Sequence, residues 1–258
     1  MNLLQSVTLG IVQGLTEFLP VSSSGHLVIA SKLLGLQADV PFDVAVHFAT
    51  LLAVCVFFSR DIFELIKAFL FNRRFSDPYF KLGLLIIVGS IPTAIIGFSL
   101  KDIFEAMFSS LAAVGFFLMI TGILILTAER YGKARKDIGK VSFLDSLIVG
   151  IAQGCAVAPG LSRSGTTIST SLLVGLERKL ALRFSFLLSI PAILGASIFK
   201  SKAILHNVSI EMIAGFMAAA ISGYIAIWLF MKMIEKKDMN IFAYYCFAAG
   251  IISFILAR

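Results

Sequence analysis

Two stretches of this chain, 140 residues apart, are versions of one another. Leu9–Leu36, LGIVQGLTEFLPVSSSGHLVIASKLLGL, aligns without a gap on Val149–Leu176, VGIAQGCAVAPGLSRSGTTISTSLLVGL. Eleven of the 28 positions are identical, including Gln13 with Gln153, Gly14 with Gly154, Ser22 with Ser162, Ser24 with Ser164 and Gly25 with Gly165. One unit used twice therefore sets the architecture. Repeat one takes residues 1–130, repeat two 141–258, and a basic linker, 129–145, joins them within one transmembrane domain, 1–258.

The sequence around the repeats is apolar. The chain is 59% hydrophobic and only 14% charged, with a mean hydropathy of +0.96. Soluble domains have about a quarter of their residues charged, so this is a membrane composition. Crossing roughly 30 Å of hydrocarbon takes about 20 residues. Six runs qualify: 42–58, 82–100, 111–128, 183–199, 210–231 and 241–257. The first is short and contains His47, which reads as a packing or interfacial residue.

Each repeat then holds one polar segment and three spans. Three is odd, so if each polar segment returns to its own side, the repeats have opposite orientation. Loop charge agrees with this. One set of loops carries sixteen basic residues (Arg60 to Lys81, Arg130 to Lys140, Arg178 to Arg183, Lys232 to Lys237). The other carries five: Lys32, Lys101, Lys200, Lys202 and Arg258. The positive-inside rule puts the first set in the cytoplasm and both termini outside. The net charge of +7 is thus a topology signal and not a nucleic-acid footprint, although the basic loops can attract anionic lipid. The fold class expected is an all-α integral membrane protein: six transmembrane helices plus two re-entrant helical hairpins arranged as inverted-topology repeats. Three isolated cysteines form no disulfide framework, and the N-terminus lacks the basic region of a cleaved signal peptide.

Each polar segment reads as helix, break, helix. The arms are 6–18 and 23–34 in the first, 146–157 and 163–175 in the second. An arm of about 12 residues spans only about 18 Å and cannot cross alone. A hairpin of two arms can dip to mid-bilayer, where its broken tip needs protein or a watery cavity around it. The tips, SSSGH and SRSGTT, put Ser and Gly at helix starts, where backbone N–H groups and the positive helix end favour anions. Arg163 adds a guanidinium suited to phosphate. The repeat matches Arg163 with Ser23, so a pseudo-two-fold brings these two together. Glu17 shares a helical face with Gln13, and an ionisable group at such depth points to function. It must either accept a proton or bind a bridging cation. Plainer readings exist: Glu17 with Arg163 as a buried ion pair, His26 as an interior histidine, Ser22 and Ser162 as N-caps. Asp43 and Asp145 read as helix N-terminal caps.

QGLTEFLPVSSSGH and PGLSRSGTT resemble the two signature segments of the undecaprenyl-diphosphate phosphatases of the bacitracin-resistance type. The first signature falls on Gln13 and Glu17, with Gln13 standing where a glutamate is the alternative. The second falls on Pro159, Gly160, Ser162, Arg163, Ser164 and Thr167. The resemblance implies cleavage of a C55 polyprenyl diphosphate to the monophosphate and inorganic phosphate in the bacterial cell membrane, which recycles the lipid carrier of cell-wall synthesis. Together with the residue chemistry it gives an expected site. Ser23 is the nucleophile and His26 its base, or His26 attacks or activates water. Arg163 stabilises developing charge. Glu17, with Gln13, positions a divalent cation, Mg2+ or Ca2+. Gln13, Ser22, Ser24, Gly25, Gly160, Ser162, Ser164, Gly165 and Thr167 hold the diphosphate. The partners expected are the lipid substrate, membrane lipids and a second copy of the chain in a homodimer. A polyprenyl-phosphate transporter and a passive anion channel are competing classes, because inverted repeats with broken segments also suit alternating access. Neither requires a nucleophile beside a base.

Overall fold

The computed structural model describes residues 1–37, 39–133, 135–200, 209–234 and 238–257, without the side chains of 199 and 200. Among them are twelve α-helices. The first polar segment forms α1 (Leu3–Phe18) and α2 (Ser23–Leu33). Then come α3 (Val40–Phe57), α4 (Ser59–Phe71), α5 (Pro78–Ser99), α6 (Lys101–Met107) and α7 (Leu111–Tyr131). The second polar segment forms α8 (Phe143–Cys155) and α9 (Arg163–Leu173), followed by α10 (Arg178–Lys200), α11 (Ile210–Ile234) and α12 (Asn240–Leu256). Both expected breaks fall where the tips were read, and no arm boundary moves by more than three residues.

Five helices, α3, α5, α7, α10 and α11, are long and apolar enough to cross a bilayer. The sixth expected span corresponds to α12, which at 17 residues is about 26 Å long, a little under the hydrocarbon thickness. Lys202, Lys236, Lys237 and Arg258 of the loop-charge comparison lie outside the described residues.

Helices α4 and α6 were not expected. The apolar run of 42–58 stops at Phe58, yet SRDIFELIKAFLF continues as an amphipathic helix. Its Phe63, Ile66, Leu70 and Phe71 are exposed, while Phe69 packs under α5 beside Phe80 and Gly83. A further correction concerns Asp43. The N-cap of α3 is Asp39, whose carboxylate accepts from the N–H of Phe42. Val40 and Pro41 extend the helix two residues beyond the apolar run, which leaves Asp43 in the first turn. Asp145 sits three residues inside α8, in a capping box with Ser142.

Packing follows the repeat. In α1, Gly10 meets α11 so closely that a Cβ there would lie 2.2 Å from the carbonyl oxygen of Gly215. Its counterpart, Gly150 in α8, meets Gly89 of α5 in the same way, at 2.0 Å. Each half thus lays its first helix against the second long helix of the other half. Between α7 and α12, Gly115 and Gly250 face one another: a Cβ on either would approach the other's carbonyl oxygen, at 2.8 and 2.9 Å. Small residues at crossings are what helix association in lipid uses, because backbones in close contact gain dispersion where no hydrophobic drive exists. The main core lies between the end of α1, α3, α5, α7, α8, α9, α10, α11 and the start of α12, around Phe18, Phe184, Phe186 and Phe230.

At the linker, Arg135 and Lys136 donate backbone N–H groups to the Gly175 carbonyl, and Lys136 Nζ bonds both carboxylate oxygens of Asp145, at 2.8 and 2.9 Å. Glu129 holds Arg178 and also accepts from the N–H of Met239, which ties the ends of α7, α10 and α12 together.

Candidate active site

The two tips meet. Ser22 caps α2 by accepting from Gly25 N at 3.3 Å, and Ser162 caps α9 by accepting from Gly165 N at 3.1 Å. The hydroxyls pair alike in both halves, Ser22 with Ser24 at 3.3 Å and Ser162 with Ser164 at 3.2 Å. Ser164 then donates to the Leu19 carbonyl at 2.9 Å, so the second tip is bonded to the first. Gly160 has φ +93, and a Cβ on it would lie 2.3 Å from the Val114 carbonyl oxygen. Only glycine meets both demands. Thr121, on α7, accepts from Ser162 N at 3.0 Å and so fixes the start of α9. Ser22 itself has φ 69, whereas Ser162 has φ −66. A non-glycine residue held in that region stores strain, and here it directly precedes Ser23.

At the join lies the carboxylate of Glu17, 7% exposed. Arg163 Nη2 donates to its Oε1 at 2.7 Å. Ser23 Oγ donates to its Oε2 at 2.5 Å, and Gln13 Nε2 to the same oxygen at 2.9 Å. Ser23 and Arg163, equivalent in the repeat, therefore meet across one carboxylate. Arg163 also lies 5.9 Å from the centre of the Phe18 ring. Two polar atoms at this point are buried without a partner: Nη1 of Arg163 and Oε1 of Gln13. Such orphans are costly unless a ligand satisfies them.

The remaining expected residues divide. Ser22, Ser24, Gly25, Gly160, Ser162, Ser164 and Gly165 line the tips as described. Thr167 turns away from the carboxylate: it donates to the Arg163 carbonyl at 2.8 Å and lies 2.5 Å from Ser185 of α10, so it supports the turn that presents Arg163. His26 does not take the Ser23 proton in this arrangement. Its Nδ1 lies 2.7 Å from the Ser22 carbonyl oxygen, which can only accept, so that nitrogen carries a hydrogen. In the neutral ring its Nε2 then accepts from the hydroxyl of Tyr245, at 2.6 Å.

Two residues went unrecognised in the sequence. His47 comes within 3.9 Å of Glu17 Oε2 through Nε2, while its Nδ1 donates to the Asp43 carbonyl at 2.7 Å. The signal was an ionisable group within an apolar run, whose packing reading gave no indication of this approach to Glu17. Tyr245 gave no signal, being one of several aromatics in the last apolar run.

Glu17 is already bonded to Arg163, Ser23 and Gln13, leaving Gln13 Oε1 as the uncommitted oxygen. Among the described residues no three His, Cys, Asp or Glu side chains cluster to hold an ion.

The fold and site define a multi-pass helical membrane protein in which two broken hairpins pool hydroxyls, helix N-termini, a carboxylate and a guanidinium at one buried point. Comparison with known proteins gives the family: the family model described as Bacitracin resistance protein BacA matches residues 6–252, and the chain belongs to that family. Among its relatives are proteins named undecaprenyl-diphosphatase. One from Methanosphaera stadtmanae is 44% identical over 272 residues, covering 100% of this chain and 99% of the other. One from Methanobrevibacter smithii is 42% identical over 270 residues, covering 99% and 98%. One from Carboxydothermus hydrogenoformans is 43% identical over 264 residues, again covering 99% and 98%.

Proposed function

We propose that this protein is a membrane phosphatase that hydrolyses undecaprenyl diphosphate to undecaprenyl phosphate and inorganic phosphate. The observation that carries the reading is the Ser23–Glu17–Arg163 arrangement at the meeting of two helix N-termini. A nucleophile bonded to a base, beside a cationic donor with an unused N–H, is what phosphoryl transfer requires.

In the first step Ser23 Oγ gives its proton to Glu17 Oε2 and attacks the terminal phosphorus. The bond from that phosphorus to the bridging oxygen breaks, and the lipid monophosphate leaves with the electron pair. Arg163 Nη1 and the first-turn N–H groups of α2 and α9 hold the phosphoryl oxygens as charge develops on them. In the second step water attacks the phosphoserine. His26 Nε2, released from Tyr245, takes the water proton, and the proton on Glu17 returns to the departing serine oxygen. A divalent cation bound with the diphosphate would offset its charge, and Gln13 Oε1, the uncommitted oxygen beside Glu17, would help to hold it.

The same reading gives the finer topology: α12 as the sixth span, α1–α2 and α8–α9 as re-entrant hairpins from opposite leaflets, and both termini outside. The reciprocal glycine crossings support it, since a pseudo-two-fold between inverted halves produces such pairs. A carrier would need the anion site but no activated serine, so the Ser23–Glu17 bond favours the enzyme. The test is phosphate release from undecaprenyl diphosphate in detergent, with and without a chelator. Ser23→Ala is expected to lose at least about a hundredfold in turnover. Retention of most of the turnover would refute the serine nucleophile.

A further inference from the structure

The repeat makes α2 and α9 equivalents, yet their surroundings differ. In α9, residues 164–169, Ser171 and Leu172 are all buried. In α2 only Gly25 and Leu27 are. The site is therefore walled by protein on the α9 side and open along α2. What faces the open side is α12. Val28 and Ile29 of α2 and Phe242 and Ala249 of α12, all half-buried, pack against one cluster formed by Val21, Val114 and Leu118 with Cys246 of α12. Two polar contacts close this seam: the bond of His26 Nε2 with Tyr245, at 2.6 Å, and that of Lys32 Nζ with the Leu256 carbonyl, at 2.9 Å. Lys32 lies near the end of α2 and Leu256 at the end of α12, so a cation sits at the seam's mouth, and the histidine lies at its inner end, three residues from Ser23.

We propose that the seam between α2 and α12 is the lateral opening through which the lipid reaches the site. The inference rests on the prenyl diphosphate reading and specifies where the prenyl chain goes. A chain that length stays in hydrocarbon, because each buried CH₂ is worth about 0.8 kcal/mol. The charged head must still reach a buried carboxylate and guanidinium, so the wall between them has to open sideways. The α2–α12 seam has the required chemistry in order: a cation at the mouth for the diphosphate, aliphatic walls, then Tyr245. That ring is 46% exposed on the α12 face and its hydroxyl bonds His26, a shape suited to a boundary between apolar tail and polar head. On arrival the head takes over the bond that Tyr245 makes with His26, and the ring lies against the first isoprene units. Tyr245 is in this account a specificity-determining residue.

The experiment compares kcat/KM for undecaprenyl diphosphate and for isopentenyl diphosphate, which has no tail beyond one unit, in wild type, Tyr245→Ala and Tyr245→Phe. The expected result is a long-over-short preference that falls about tenfold or more in Tyr245→Ala, consistent with losing about 1.4 kcal/mol or more of selective contact, and is kept in Tyr245→Phe. If Tyr245→Ala lowers both substrates by one factor, the tyrosine only holds His26 and the seam is not the lipid's path. An unchanged preference in Tyr245→Ala also overturns the proposal. Wild type that releases phosphate from neither substrate refutes the phosphatase reading itself, a result distinct from the other two.

Discussion

Glu17 and Arg163 lie 146 residues apart in the chain and meet at 2.7 Å, each supplied by a different copy of the repeat. The catalytic arrangement is thus a product of the duplication: neither half holds both charges. Breaking a buried pair strands the other charge, at a cost of about 3–5 kcal/mol. Arg163→Ala is therefore expected both to lower the melting temperature in detergent and to abolish phosphate release. Arg163→Lys keeps the charge but not the fork, so it is expected to fold normally with turnover down roughly ten- to a hundredfold. Equal melting losses in both variants would show that the guanidinium's geometry, and not its charge, holds the tips.

The glycine crossings predict a paired stability effect. Gly10→Ala and Gly150→Ala each drive a methyl group into a facing backbone, and backbone cannot move aside as a side chain does. Each is expected to cost about 1–3 kcal/mol. Gly195→Ala is the control: nothing lies within 4 Å of its added Cβ, so a neutral or slightly stabilising effect is expected. Melting temperatures by tryptophan-independent thiol or light-scattering assays would check all three. A neutral Gly150→Ala would mean that the two halves do not interlock symmetrically.

Most of this architecture was legible because its signals are local. The breaks at Pro20–Ser22 and at APGLS, and the apolar runs, each reflect physics acting within about 20 residues. The repeat added the one long-range statement, that Ser23 and Arg163 converge. What it could not supply was which partner each side chain chooses. Ser23 and His26 are three apart at a helix start, and nothing local indicated that Ser23 would bond Glu17 while His26 turned to Tyr245, 219 residues away. The amphipathic α4 escaped because at 13 residues it is shorter than a span and charged residues interrupt its apolar ones, and His47 because its carboxylate partner sits on another helix.

The linker carries a pH-dependent contribution. Burial pushes the Asp145 carboxyl up, but the bonds from Lys136 and Ser142 outweigh it and hold the group below the usual carboxylate range. A lowered folded value means that the stabilisation is present above the ordinary carboxylate range and lost as pH falls through the folded value. Lys136 is 35% exposed, so the pair is worth only about 1 kcal/mol after solvent screening. Asp145→Asn is expected to be less stable than wild type at pH 7 and to converge with it at acid pH. Melting curves across pH 3–7 test this, and a gap that persists at the acid end would point to packing rather than charge.

Thr121 reaches the site from α7 without touching the carboxylate. Its Oγ1 accepts from Ser162 N at 3.0 Å and lies 3.1 Å from the Phe117 carbonyl oxygen, to which it donates. Thr121→Val keeps the shape and removes both bonds, leaving a buried N–H unsatisfied at a cost of about 1–3 kcal/mol. The residue that follows that N–H is Arg163, so loosening this turn moves the guanidinium off its aim. The expected outcome is a fall in kcat/KM of roughly tenfold or more, because small misplacements of a positioning group are costly. Thr121→Ser retains the hydroxyl and is expected to restore most of that loss. If Thr121→Val keeps the wild-type kcat/KM while Thr121→Ser loses it, the hydroxyl does not position Arg163, and the methyl group's packing against Gly165, whose added Cβ would lie 3.0 Å from it, is the feature that matters.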